Sequence, residues 1–164
     1  MNADGVYVAL KIVHLGALLL WLGPALGAWW MLRCAIHRFD DPGMVSHYFY
    51  RVFLRFVWFE HLALLVLLAS GFALAGVTQA FSTNWLQYKL LLVALVVIPL
   101  EIIDIWYSHV RLPAILHLRH PSRLYTTREQ AALYFYHRHF TPAAILILPG
   151  TLIAILWLAL GKPG

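Results

Sequence analysis

The sequence predicts an all-α membrane protein, a four-transmembrane-helix bundle with both termini on the periplasmic side of a bacterial cytoplasmic membrane. Of its 164 residues, 62% are hydrophobic and only 12% are charged. Soluble domains have about half of their residues apolar and about a quarter charged. The arginines are also confined to two of the connections between apolar runs. These observations exclude a disordered chain, a nucleic-acid-binding module and an ordinary cytosolic domain.

Four apolar stretches are long enough to cross a bilayer, which takes about 20 helical residues. They run near residues 6–32, 53–77, 85–107 and 140–160, within a single transmembrane domain covering residues 1–164. The first stretch is too long for a signal peptide and lacks a basic leader and a small-residue cleavage site. It is therefore predicted to be a retained helix in a multi-pass protein.

The basic residues predict which side of the membrane each connection occupies. All nine arginines lie in or beside the connections between spans 1 and 2 and between spans 3 and 4, whereas the other side carries only three lysines. Because basic residues accumulate in cytoplasmic loops, the arginine-bearing connections are predicted to be cytoplasmic. The net charge of +5 then reflects topology, and no nucleic-acid partner is expected.

Two capping signals lie in these connections. Asp41-Pro42 places an acidic N-cap before a proline at the first helical position. Thr126 precedes Glu129 by three residues, which is the spacing of a capping box. The second and fourth helices are therefore predicted to begin in the cytoplasm and to continue into the bilayer.

Proline and glycine mark irregular positions within the spans. Kinks are predicted at four prolines, which are Pro24, Pro99, Pro142 and Pro149. Gly23 and Gly27 form a GxxxG pair, which permits close contact with another helix. Packing alone explains these residues without a functional role.

A first group of polar residues lies toward the outer side. His14 lies about two turns into the first span and Lys89 about one turn into the third. Lys11 and Trp21 share a helical face with His14. Because an ionisable residue inside a bilayer is by default a functional candidate, His14 is predicted to be a cofactor ligand with Trp21 beside it. The alternatives are a hydrogen bond from His14 to a backbone carbonyl and snorkelling of Lys89 to the interface.

A second group lies toward the cytoplasmic side. Glu60 and His61 lie in the second span, and Glu101 and Asp104 share a face of the third. Three histidines lie near the cytoplasmic ends of the third and fourth spans, namely His109, His137 and His139. These groups are predicted to converge in a proton path or a metal site. An ion pair between the carboxylates and an arginine is the alternative.

Histidines between helices of a bundle are typical of haem sites, although zinc or copper sites also accept histidine with carboxylates. His14 and His61 are separated by about 10 to 15 Å along the membrane normal at 1.5 Å per residue, so they are not expected to ligate the same iron. The prediction is haem b, one or two per chain, with His14 and His61 as iron ligands. His139 is a further cofactor-binding candidate and His109 a further metal ligand.

Three motifs carry a resemblance to a known family. They are Lys11-Ile-Val-His14, then Trp21-Leu22-Gly23, and later Trp85-Leu86-Gln87-Tyr88-Lys89-Leu90. Together they resemble the HemJ-type protoporphyrinogen oxidases, and the closing residues 158–163 are also similar. The first helix is similar to that of CopD-type copper-resistance proteins. The middle of the chain and its loops are similar to an uncharacterised family of small bacterial four-helix membrane proteins.

The HemJ-type resemblance implies a haem b protein that removes electrons from protoporphyrinogen and passes them to the respiratory chain. It implies that His14 is the haem ligand and Lys89 the essential lysine. The fourth helix of that family opens with an asparagine-glutamate-x-proline step, of which Arg138-His139-Phe140-Thr141-Pro142 keeps only the proline. The resemblance therefore supports haem binding more strongly than it supports protoporphyrinogen as the substrate.

Three functions from different classes follow from these observations. The leading hypothesis is a haem b-binding integral membrane redox protein that oxidises a porphyrinogen or relays electrons to or from quinone. Its catalytic candidates are Lys89, Glu101 and Asp104. The alternatives are a metal (copper) transport or handling protein and a non-catalytic subunit or assembly factor of a respiratory complex. The expected partners are membrane lipid, quinone or porphyrinogen, and a second copy or a respiratory-complex partner.

Overall fold

The computed structural model describes residues 3–38, 44–117 and 126–161, which are almost entirely helical. Within these described residues, four stretches of helix are long and apolar enough to cross a membrane: Asp4–Cys34, Tyr48–Val77, Asn84–Ile115 and Thr127–Gly161. This confirms the prediction of an all-helical chain with four long apolar helices. The second and fourth helices begin well before the apolar runs near residues 53–77 and 140–160.

The chain forms two compact units, residues 1–80 and residues 81–164. The first unit is a pair of packed helices, α1 (Ala3–Arg38) and α2 (Met44–Val77). Because only residues 39–43 separate two helices that pack along their length, the helices run antiparallel. The turn after α2 contains Gln79 at a φ of 53°, and its backbone N–H donates to the carbonyl of Gly76 at 3.2 Å. This left-handed residue ends the helix.

The second unit contains two helical rods. The first rod comprises α3 (Asn84–Leu92), α4 (Ile98–Ile105) and α5 (Leu112–His117), joined by π-helical turns at Val93–Val97 and Trp106–Arg111. The second rod comprises α6 (Thr127–Tyr134), a π turn at Phe135–Phe140, and α7 (Thr141–Gly161). Because α3 packs against α7, the start of one rod meets the end of the other and the rods are antiparallel.

Each of these three π turns ends two residues before a proline. The prolines are Pro99, Pro113 and Pro142. A proline ring clashes with the carbonyl four residues earlier, and proline has no N–H to bond it. Those carbonyls belong to residues inside the π turns, namely Leu95, His109 and Arg138. The wider turn therefore accommodates each proline without ending the rod, whereas Pro24 and Pro149 lie inside uninterrupted α-helix.

The predicted capping box at the start of α6 is confirmed. The backbone N–H of Glu129 donates to the Thr126 hydroxyl at 3.3 Å, and the backbone N–H of Thr126 donates to the Glu129 carboxylate at 2.8 Å. The two side chains thus satisfy two backbone donors at the helix start. The other capping signal, Asp41-Pro42, lies outside the described residues.

Thr126→Ala is expected to destabilise the protein by about 1 kcal/mol, because it removes a side-chain acceptor from an exposed helix start. The measurement is the free energy of unfolding in detergent, followed by the helical circular dichroism signal. Thr127→Ala is the matched control, since Thr127 is also exposed but is not the N-cap. An equal loss in both variants would contradict the capping role.

The GxxxG pair in α1 does not make the predicted close contact within the described part of the chain. A Cβ atom added at Gly23 or Gly27 would meet nothing within 4 Å. Both residues are exposed, because this face of α1 points away from the described core. The close approach between α1 and α2 occurs at a different glycine.

Candidate functional site

The imidazole of His14 connects α1 to α2 through one ring nitrogen. Its Nδ1 lies 3.1 Å from the carbonyl oxygen of Leu67 and 3.1 Å from the hydroxyl oxygen of Ser70. The Ser70 hydroxyl donates its own hydrogen to the carbonyl of Val66 at 2.7 Å, so its oxygen accepts from His14. Because both neighbours of Nδ1 accept, we infer that Nδ1 carries the hydrogen and donates it.

This hydrogen bond determines what the other ring nitrogen does. A neutral imidazole protonated at Nδ1 has its lone pair on Nε2, which is the form that binds a metal. Metal-binding histidines commonly donate their second N–H to a backbone carbonyl, which fixes the tautomer and the ring orientation. The carbonyl hydrogen bond was the alternative left open for His14 by the sequence, and it is compatible with iron ligation through Nε2.

Gly71 is what lets the His14 ring lie this close to α2. A Cβ atom at position 71 would be 3.1 Å from Cε1 and 3.5 Å from Nδ1 of His14. Any side chain there would press on the ring. The signal in the sequence was the small pair Ser70-Gly71 within an apolar run, which is typical of close helix contact in membranes. The sequence analysis did not single out either residue.

The other outer candidates occupy different environments. Trp21 is buried in α1, two turns after His14. Lys11 is exposed, and its Nζ lies 5.5 Å from the centre of the Tyr7 ring. Lys89 is half-buried in the second turn of α3, in the other unit. Of the three residues on this face, Trp21 is buried and His14 is half-buried, whereas Lys11 is exposed.

His61 is buried in α2 and lies six residues before Leu67, the residue that His14 contacts. At 1.5 Å per residue this separates the two levels by about 9 Å along the helix. The two imidazoles therefore lie at different depths of the same helix pair.

In the second unit, Asp104 pairs with a tyrosine of the opposite rod. The Tyr136 hydroxyl donates to the Asp104 carboxylate at 2.8 Å, and only 1% of the Tyr136 surface is exposed. The Tyr136 ring is stacked on the rings of Tyr107 and Phe140, with centroids 5.6 Å and 5.7 Å away. Tyr136 was not among the candidates predicted from the sequence, where an arginine was the alternative partner considered for Asp104.

The remaining inner candidates are dispersed. Glu101 is buried, one turn before Asp104 in α4, whereas His109 is half-buried in the following π turn. His139 is exposed, with its ring 5.4 Å from that of Tyr134 and 6.4 Å from that of Phe135. Among the residues that the structure describes, no three His, Cys, Asp or Glu side chains form a group that could hold a metal ion.

Tyr136→Phe is expected to destabilise the protein by about 1 to 3 kcal/mol, because it leaves the half-buried carboxylate of Asp104 without its phenol donor. Thermal unfolding in detergent measures this loss. Tyr134→Phe is the matched control, since Tyr134 is 60% exposed and lies in the same rod. Equal stability of the two variants would show that the hydrogen bond does not hold the rods together.

Comparison of the chain with models of protein families, with curated proteins and with solved structures gives no match.

Proposed function

We propose that this chain is a haem b-binding redox protein of a bacterial cytoplasmic membrane, with both termini on the periplasmic side. The observation that carries the proposal is the hydrogen bond from His14 Nδ1 to the Leu67 carbonyl and the Ser70 hydroxyl. It orients an imidazole within an apolar helix pair and leaves the lone pair on Nε2. Such an imidazole would be suited to hold a haem through its iron.

The number of available ligands favours haem over a bare metal ion. Zinc sites take three or four protein ligands, and no such group occurs among the described residues. Haem iron receives four nitrogens from its porphyrin and needs only one or two from the protein. His14 alone, or with a ligand from elsewhere, meets that need. His61 is proposed as the ligand of a second haem, because it lies at another depth.

The bound haem would supply one-electron exchange with a substrate or a carrier. The residues of the chain would bind, orient and move protons around that exchange. Asp104 accepts a hydrogen bond from Tyr136, and Glu101 is buried one turn away, so we assign both carboxylates to proton transfer. Protons must move with electrons when either a quinone or a porphyrinogen reacts.

Lys89 is assigned to substrate binding. It is half-buried in α3, inside a segment apolar enough to cross the membrane. A lysine ammonium at such a position is suited to an anionic group that approaches from the interface. The carboxylate side chains of a porphyrinogen are groups of this kind, which is why porphyrinogen is retained as a substrate beside quinone.

The test is an absorption spectrum of the detergent-purified protein in its oxidised and reduced forms, with haem quantified as the pyridine haemochrome. We expect a Soret band, α and β bands on reduction, and one or two haems b per chain. A colourless protein, purified from cells supplied with haem, would overturn the proposal.

A further inference from the structure

An exposed stripe of aromatic and basic side chains runs along the first turns of α2. It consists of Tyr48, Arg51, Arg55 and Trp58, at successive spacings of three, four and three residues, which place all four on one helical face. Tyr48 is 62% exposed and Trp58 is 58% exposed, and both arginines are exposed. We call these four residues the α2 stripe.

The two arginines of the α2 stripe carry like charges on adjacent turns. Like charges four residues apart destabilise a helix. No acidic residue occupies a position three or four residues from either arginine, where it would neutralise them along the helix. Within α2, the positive charge of the stripe is therefore not neutralised by a neighbouring carboxylate.

The length of the apolar segment of α2 indicates that the α2 stripe lies near one membrane interface. The apolar segment of α2 spans 30 residues, from Tyr48 to Val77, which is about 45 Å of helix. The hydrocarbon core is only about 30 Å thick, and the bilayer with its headgroup regions about 40 to 45 Å. If the hydrocarbon core ends level with Val77 on one side, its other boundary lies about 20 residues earlier, near Trp58. Arg55, Arg51 and Tyr48 then lie in or just beyond the headgroup region on that side.

A third arginine lies at the same level on α1. The contact of His14 with Leu67, Ser70 and Gly71 sets the register of the helix pair. Counting along both antiparallel helices from that contact brings Arg33 level with the start of the α2 stripe. The Arg33 guanidinium lies over the Trp29 ring, 5.4 Å from its centre. The guanidinium groups of Arg33, Arg51 and Arg55 therefore lie near the same end of the α1–α2 pair.

We propose that the α2 stripe is a binding site for the phosphate of an anionic phospholipid, in the leaflet on the arginine-bearing side. Guanidinium groups match phosphate oxygens with paired hydrogen bonds, and a lipid phosphate is the anion present at this depth. Tyr48 and Trp58 flank the arginines with rings of the kind that settle at the interface. The choline cation of a zwitterionic lipid offsets its phosphate charge, so the two arginines are expected to favour a lipid with a net negative charge.

Native mass spectrometry of the detergent-solubilised protein tests this, with phosphatidylglycerol and phosphatidylcholine of identical acyl chains as probes. We expect the wild-type protein to prefer phosphatidylglycerol. The double variant Arg51→Gln/Arg55→Gln is expected to bind it at least about tenfold more weakly, with phosphatidylcholine binding unchanged. The double variant Arg51→Lys/Arg55→Lys is expected to bind phosphatidylglycerol more tightly than the glutamine variant but more weakly than the wild type, because it keeps the charge and loses the paired hydrogen bonds.

The matched control is Arg128→Gln/Arg138→Gln, which removes the same charge from exposed positions in the other unit. An equal loss of phosphatidylglycerol binding in this control would show an effect of net charge and would overturn the site. Unchanged binding in the Arg51/Arg55 glutamine variant would also overturn it. If inorganic phosphate displaced the lipid at equal concentration, the stripe would be a site for free phosphate and the lipid assignment would be wrong.

Discussion

His14→Ala removes the haem that His14 is proposed to bind, and with it the corresponding part of the Soret absorbance. If the chain binds one haem, the purified variant is colourless. If it binds two, His14→Ala and His61→Ala remove different spectral components, because the two histidines lie at different levels of α1 and α2. The measurement is the reduced-minus-oxidised spectrum, normalised to protein by the pyridine haemochrome assay.

Rescue by added imidazole tests whether the loss of absorbance in His14→Ala is due to the missing imidazole ring. The alanine at position 14 leaves space for a free imidazole beside the Leu67 carbonyl and the Ser70 hydroxyl, where His14 Nδ1 donates its hydrogen. We expect imidazole in the growth and purification buffers to restore part of the lost absorbance. Loss of the same single haem from the His14 and His61 variants would show that both histidines serve one iron. An unchanged spectrum in His14→Ala would refute the role of His14.

Gly71→Val is expected to lose most of the absorbance that depends on His14. A Cβ atom at position 71 already comes within 3.1 Å of His14 Cε1, and the two additional methyl groups of valine require the ring to move away. That movement breaks the hydrogen bond from Nδ1 and misdirects Nε2. The readout is again the haem content per chain after purification.

Gly76→Val is the matched control for this substitution. Gly76 lies in the same helix, and a Cβ atom there would meet nothing within 4 Å. Both variants place valine in α2, and only the one at position 71 brings it against His14. We expect Gly76→Val to retain its haem. An equal loss in the two variants would mean that the effect comes from the helix backbone and not from the histidine.

The helices and one of their caps could be predicted from the sequence because local patterns determine them. Long apolar runs specify the four spans, and Thr126 with Glu129 specifies the start of α6, since both capping hydrogen bonds lie within three residues. The same patterns do not extend to contacts between helices. The hydrogen bond between Tyr136 and Asp104 joins residues 32 positions apart, and no local signal singles out that tyrosine.

The glycines illustrate the limit of a local pattern most directly. Gly23 and Gly27 have the spacing of a helix-contact motif, yet neither is close to another helix in the described part of the chain. Gly71 has no second glycine at that spacing, only Ala75, and it is the glycine that His14 packs against. Which glycine is used depends on the rotation of α1 against α2. That rotation is set by the whole buried face of each helix and not by one motif.

The π turns of the second unit also affect how the sequence is to be aligned with related sequences. A π turn accommodates about one residue more than the α-helix that would replace it, and one residue rotates every later side chain by about 100°. Each of the three turns is thus equivalent to a single-residue insertion upstream of a proline. Relatives of this protein are best aligned with one-residue gaps allowed at residues 93–97, 106–111 and 135–140. Tyr107 and Tyr136 both lie in such turns. An alignment without these gaps would shift each tyrosine by one residue against a relative that lacks the turn.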